Sequence, residues 1–223
     1  MLSKIKCDIL KICGFMKNIK LYNLFYIFII GSVLGWLIEG IFTFIKKGIL
    51  INHSALVIGP FNIVYGIGAC VLTILLIKYK NAPLWKIFLL SFIGGSILEY
   101  ILSFGMELIL GFTAWNYSHK ILNLNGRICL LYSIYWGILG IAWIKLAYPF
   151  IDKLIRKINV NFGKKLIVFL SIFLMADLLF TFSAIERARE KDVGIPPSNN
   201  YEKFLDNTFN TKYLKNMFNN RWK

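Results

Sequence analysis

Three glutamates, Glu39, Glu99 and Glu107, carry most of the chemistry in an otherwise strongly apolar sequence. Ser91, Gly95, Glu99, Ser103 and Glu107 recur at intervals of four, which puts them on one slowly turning face of a helix. Gly31, Gly35 and Glu39 repeat the same spacing. Glu99 and Glu107 are then about 12 Å apart along the helix axis, at ~1.5 Å per residue. An acidic side chain near the middle of a membrane costs roughly 2.5–3.5 kcal/mol, so these faces must meet protein or water. Carboxyls so placed suit a route for cations or protons, or general acid and base work. The plainer alternative is structural: each acid pairs with a base, or stays protonated and hydrogen-bonded to a hydroxyl. Arg127 is the one base clearly at a helix mouth.

A second polar concentration lies between residues 111 and 126, with Trp115, Asn116, Tyr117, Ser118, His119, Asn123 and Asn125 leading into Arg127. Trp and Tyr here also suit an interfacial belt. Asn125-Gly126 permits a tight turn, and Arg127 is expected to start the following helix, where its fork and free backbone N–H groups would cradle an anion or carboxylate. His53, in the opposing loop, is expected to face it. Gly59, Asn62, Gly66 and Thr73, then Ser133 and Gly137 with Trp136 and Trp143, and finally Asp177 and Thr181, add small or polar faces on three further segments. Together these faces would surround a polar cavity.

The elements that position these residues follow from composition. Apolar residues make up 57% and charged residues 17% of the 223. Mean hydropathy is +0.63, which suits a bilayer rather than water. Five stretches, near 24–45, 58–77, 84–110, 127–149 and 164–185, are long enough to cross ~30 Å of hydrocarbon. The expected fold is an all-α membrane protein. It has a basic head (1–23), a five-span bundle (24–185) and an amphipathic helical tail (186–223). In the tail, Asn199 and Glu202 have capping-box spacing, and Phe204, Leu205, Phe209, Leu214 and Phe218 give an apolar side.

Lysines and arginines flank the spans unevenly, with 14 on the side of the head against 4 on the other, so the head is expected in the cytoplasm of a multi-pass cell-membrane protein. Five spans send the tail, with 8 bases and 5 acids, to the far side. The net charge of +15 fits lipid headgroups rather than nucleic acid, because the bases lie between apolar runs. Cys7, Cys13, Cys70 and Cys129 have no metal-type spacing, and no metal or cofactor is expected. No phosphate-binding loop, His-Glu-x-x-His or Gly-x-Ser-x-Gly is present.

Gly35-Trp36 with Glu39, Gly59-Pro60 with Tyr65-Gly66, Glu99 with Ser103 and Glu107, Trp115-Asn116-Tyr117-Ser118, Asn123, Gly126-Arg127 and Trp136-Gly137 occur in that order. The set resembles the bacterial membrane family of putative ABC-transporter type IV, or CmpB-like, permeases. That family usually has Asp at Asn116, Pro at Asn62 and Arg at His53. The resemblance implies transport of a small solute or ion, with an outer mouth at residues 115–127, a pathway along the glutamates and a separate ATPase subunit. Five spans are few for a permease, so a homo-oligomer is expected. Two other readings stay open: an intramembrane enzyme acting on a lipid or lipid-linked headgroup, and a non-catalytic assembly subunit.

Overall fold

A computed structural model describes residues 20–111, 113 and 115–217. Most of the basic head, with Cys7 and Cys13, and Phe218 of the tail lie outside the described residues. The architecture is helical: α1 (Leu21–Lys47), α2 (Ile63–Leu76), α3 (Leu84–Leu110), α4 (Leu130–Ala142), α5 (Tyr148–Ile155), α6 (Val160–Asp192), α7 (Asn200–Thr208) and α8 (Thr211–Met217). A π-helical turn, Trp143–Ala147, joins α4 to α5, so the two run on as one span. Among the described residues, four segments are long and apolar enough to cross a membrane, and a fifth, shorter apolar helix covers Ile63–Tyr79.

That shorter helix corrects the expected span at 58–77. Gly59 has φ +79° and precedes Pro60, and a residue before proline avoids the α region, so no helix starts here. Residues 52–62 form a re-entrant segment instead. The Asn62 N–H donates to Ser32 O, about 16 Å from the start of α1 at ~1.5 Å per residue. Irregular backbone at that depth persists only where protein satisfies its polar groups. The Val57 N–H donates to Thr181 Oγ1 (2.9 Å), the Ile58 N–H to Asp177 Oδ1 (3.1 Å), and the Ala55 N–H to Phe61 O. Ser54 Oγ lies 2.8 Å from both Leu56 O and Gly59 O.

Small residues set the helix pairs. A Cβ on Gly31 would come within 2.6 Å of the Ala69 Cβ, and one on Gly35 would strike the Tyr65 side chain, so α1 and α2 touch backbone to side chain. α3 packs on α4 in the same way: Gly95 sits under Trp136, Gly137 under Phe88 and Gly140 against Ser91. The four-residue stripe of α3 therefore faces α4, with Ser91 and Ser103 fully buried. Ser96 Oγ and Ser133 Oγ are 2.6 Å apart across the same seam. Trp143 Nε1 donates to Thr73 Oγ1 (2.8 Å), fixing the π-helical turn against α2.

α6 stands furthest to one side, tied to α1 by the Tyr26 hydroxyl donating to Gly163 O (3.0 Å). Beyond the span, its last turns carry the tail. Leu205 and Leu214 bury against Ala184, Ile185, Ala188 and Val57, so the tail lies on the re-entrant segment. Phe204 points away and is half exposed, which corrects its place in the expected apolar side. Arg187, 3% exposed, holds the fold of the tail by donating to both carboxylate oxygens of Asp206, to Glu190 and to Ile195 O. The Asn199 side chain caps α7 by accepting from the Glu202 N–H, as its spacing predicts.

Replacing Gly35 by Leu should force α1 from α2 and cost about 1–3 kcal/mol, the range for overpacking a filled interface. Thermal unfolding in detergent reads this directly, with Gly40→Leu, which meets open space, as the unchanged control.

Candidate functional site

The three glutamates and the hairpin fall in the half of the bundle where α1, α3 and α6 end. On α1, Glu39 sits one turn beyond Gly35. Its Oε2 accepts from Asn62 Nδ2 (3.0 Å), and its Oε1 lies 3.4 Å from the Tyr65 hydroxyl. His53 does not face Arg127 as expected: its Nδ1 is 3.6 Å from Glu39 Oε2, while Nε2 shares a 2.7 Å hydrogen bond with Thr43 Oγ1. The re-entrant backbone turns the ring inward, toward α1. Burial, and next the charge of Lys47, hold the imidazole below its ordinary value of 6.5.

Glu99 is 7% exposed. Its two oxygens each take one neutral donor, the Tyr117 hydroxyl (2.9 Å) and Trp136 Nε1 (3.1 Å). The Tyr117 ring stacks on Tyr132 with centroids 4.4 Å apart. Burial, and next the Glu99 charge, push the Tyr117 phenol up, so it remains a protonated donor. Tyr65 and Tyr132 each lie within electrostatic reach of both Glu39 and Glu99, so the two carboxyls share one neighbourhood.

Glu107 is different, because it has a base. Arg127 Nη2 donates to Glu107 Oε2 and Nη1 to Ser103 Oγ (3.3 Å), with the guanidinium over the rings of Tyr100 (5.7 Å) and Phe104 (5.4 Å). Arg127 does not begin a helix. Asn123–Leu124 and Ile128–Cys129 pair as a short antiparallel ribbon, and α4 starts only at Leu130. Asn125 and Gly126 both have positive φ and the Arg127 N–H donates to Leu124 O, the pattern of the mirror-image turn that Asn-Gly favours. The expected cradle of helix N–H groups is therefore replaced by a hairpin tip that carries the arginine to α3.

Around this pair lies a polar cleft of about 150 Å³, lined by Ser103, Glu107, Trp115, Asn116 and Arg127 among others. Neither Glu39 nor Glu99 lines it. Trp115 Nε1 donates to Arg127 O (2.9 Å). Asn116 accepts from the Ser118 N–H (2.9 Å), and Asn123 ties Ser118 O, Lys120 O and the Gly126 N–H together. Asn123 thus braces the hairpin and meets no carboxyl. Asp177, 1% exposed, stands apart from the glutamates; its Oδ2 has no hydrogen-bond partner among the described residues.

The candidate residues therefore form three linked groups: Glu39 with Asn62, Glu99 with Tyr117, and Ser103, Glu107 and Arg127 with Trp115 and Asn116 beside them. Sequence reasoning passed over Tyr65 as a site residue, and placed Trp136 on a cavity-facing side without making it a partner of Glu99. Their signal is register, Tyr65 three residues past Asn62 and Trp136 between Ser133 and Gly137 on a helix that faces the α3 stripe.

The sequence matches the family described as Putative ABC-transporter type IV over residues 26–182, which includes every group just described. Comparison with curated proteins and with solved structures gives no match.

Two outcomes follow from the geometry. Arg127→Gln should strip Glu107 of its base and speed hydrogen exchange across residues 115–127, while adding Glu107→Gln should recover part of the loss, because the unpaired charge is gone. For His53, the folded pKa is depressed, so the unfolded chain binds the proton first; the segment is most stable above 6.5 and loosens as pH falls. Protection of residues 52–62 against hydrogen exchange, corrected for the intrinsic pH dependence of exchange, should therefore fall as the pH drops below 6.5. His53→Gln should flatten that response, also in a Glu39→Gln background.

Proposed function

Since the chain belongs to the Putative ABC-transporter type IV family, we propose that it is the membrane-spanning subunit of a transporter and passes a small cation or cationic solute by Glu39 and Glu99. One observation carries this reading. Both carboxyls sit within membrane-spanning helices, and among the described residues neither has a Lys or Arg at ion-pair distance; the one base beside them is His53, 3.6 Å from Glu39, whose imidazole is held below its ordinary value of 6.5. A purely structural acid in a bilayer is normally cancelled by a base, as Glu107 is by Arg127. Neutral donors from Asn62, Tyr65, Tyr117 and Trp136 orient the other two without cancelling their charge. An arriving cation would find the negative charge unspent.

The hairpin face is then the outer mouth. There Arg127, Glu107, Trp115 and Asn116 border the cleft that a solute meets first. The head is cytoplasmic, as the count of basic residues flanking the spans favours, and an odd number of spans then puts the tail outside. The chain carries no phosphate-binding loop, so a separate ATPase supplies any ATP-driven step. Its docking surface is the basic pair of connections around Lys78–Lys86 and Lys145–Lys165 on the opposite face. The working unit is an oligomer of this chain in the cell membrane.

Reconstitution into vesicles tests the reading. Glu99→Gln and Glu39→Gln should each lower cation flux by about tenfold or more, the scale of losing one close charge pair. Unchanged flux in both variants, with normal insertion, would leave only an assembly role.

A further inference from the structure

A groove of about 440 Å³ runs along the seam between α1, α2 and the α4–α5 span. Gly31, Gly35, Gly68, Ala142 and Ala147 line it, and its surface is almost wholly apolar. Its rim faces the hydrocarbon: Ile38, Leu146 and Phe150 are 51%, 73% and 64% exposed. The groove spans Trp136 to Phe150 on one wall, about 20 Å at ~1.5 Å per residue.

A polar group stands just beyond its hairpin-side end. Gly31 and Gly35 are groove residues, and Glu39, which does not line the groove, is the next position at the same interval of four on α1. Tyr65 and Trp136 also line the groove, and they are the residues whose donors reach Glu39 and Glu99. The Glu39 side chain keeps 36% of its surface exposed, and its Tyr65 contact, at 3.4 Å, is long enough to yield to a stronger donor.

We infer that this groove holds the alkyl tail of a single-chain amphiphilic amine, with the ammonium head on Glu39. The inference rests on the transport reading and names its substrate class. Charge complementarity selects the head: among the described residues the one base near Glu39 is His53, at 3.6 Å, and no Lys or Arg pairs with it, so an anionic head would meet a carboxylate where an ammonium meets its opposite charge. Shape selects the tail, because one seam between helices that ends beside one half-exposed acid accommodates one chain beside one charge.

The test uses the full chain in phosphatidylcholine vesicles and the tryptophans already in the groove, Trp136 and Trp143. A brominated long-chain alkylamine should quench their fluorescence saturably, at concentrations about tenfold below those needed for the matched alcohol, and the matched fatty acid should be weaker still. Trp136→Phe with Trp143→Phe should remove the saturable signal. Glu39→Gln should erase the preference for amine over alcohol. Ala142→Phe should fill the groove and abolish saturation, with Ala147→Leu as a second filling variant should the first disturb insertion, while Ile138→Phe on the lipid face should change nothing.

Equal quenching by all three head groups, or saturation that survives both filling variants, would overturn the inference. Loss of quenching in phosphatidylethanolamine vesicles would assign the groove to a bilayer lipid, and loss on cross-linking two chains through it would assign it to a second copy; either overturns it. Glu39-dependent flux of a short amine with no quenching by the long one would keep the transport reading and sink this one. Saturable quenching without flux of any amine would sink the transport reading and the amine's place as its substrate, leaving a binding groove alone.

Discussion

Peptide groups outside any helix or sheet have no ladder of their own, and residues 52–62 place a run of them against α1 and α6. The cost of leaving such groups unmet is several kcal/mol each, so the rest of the bundle is arranged around meeting it. Ser32 on α1, Ser54 within the segment and the Asp177–Thr181 turn of α6 supply the partners. This explains why α6, which packs loosely elsewhere, carries a buried acid at that height. It also explains the shape of the Glu39 site. The segment that needs these partners delivers Asn62 and His53 to the carboxyl, so backbone satisfaction and the polar site are one construction.

Depth separates the two kinds of carboxyl. At the rim, where headgroups and water are close, Glu107 can hold a full ion pair with Arg127, backed by the faces of Tyr100 and Phe104. Deeper in, a second charged partner would have to be desolvated as well, and the protein uses phenol, indole and amide donors instead. Tyr117, whose N–H donates to Gly126 O and whose ring stacks on Tyr132, ties the hairpin turn to the buried acid.

Much of this was legible in the amino-acid sequence wherever a helix reports its own period. The spacing of Ser91, Gly95, Glu99, Ser103 and Glu107 gave the buried face of α3, and Gly31 and Gly35 gave the contact with α2. Two features escaped because they depend on chain reversal rather than period. Gly59-Pro60 reads as part of an apolar span until the proline's effect on the preceding residue is given its weight. Asn125-Gly126 is a hairpin signal that competes with a helix start, and the turn won, carrying Arg127 to Glu107. His53 was misplaced for the same reason: the loop expected to bring it toward Arg127 turns toward α1 instead. The partners of Glu99 were hidden differently, since pairing Tyr117 with Trp136 requires knowing how α3 and α4 are rotated.

The π-helical turn at Trp143–Ala147 gives the α4–α5 span one residue more than regular winding would need. That surplus sets the phase of everything after it, because each residue of an α-helix advances the side chains by about 100°. Ile151 and Ile155 reach the core beyond the turn, and Lys145 meets Lys80 O from within it. The span therefore behaves as two helices geared together by a single tooth, and a slip of that tooth would spin the basic end of the bundle while leaving the end that holds the carboxyls where it is.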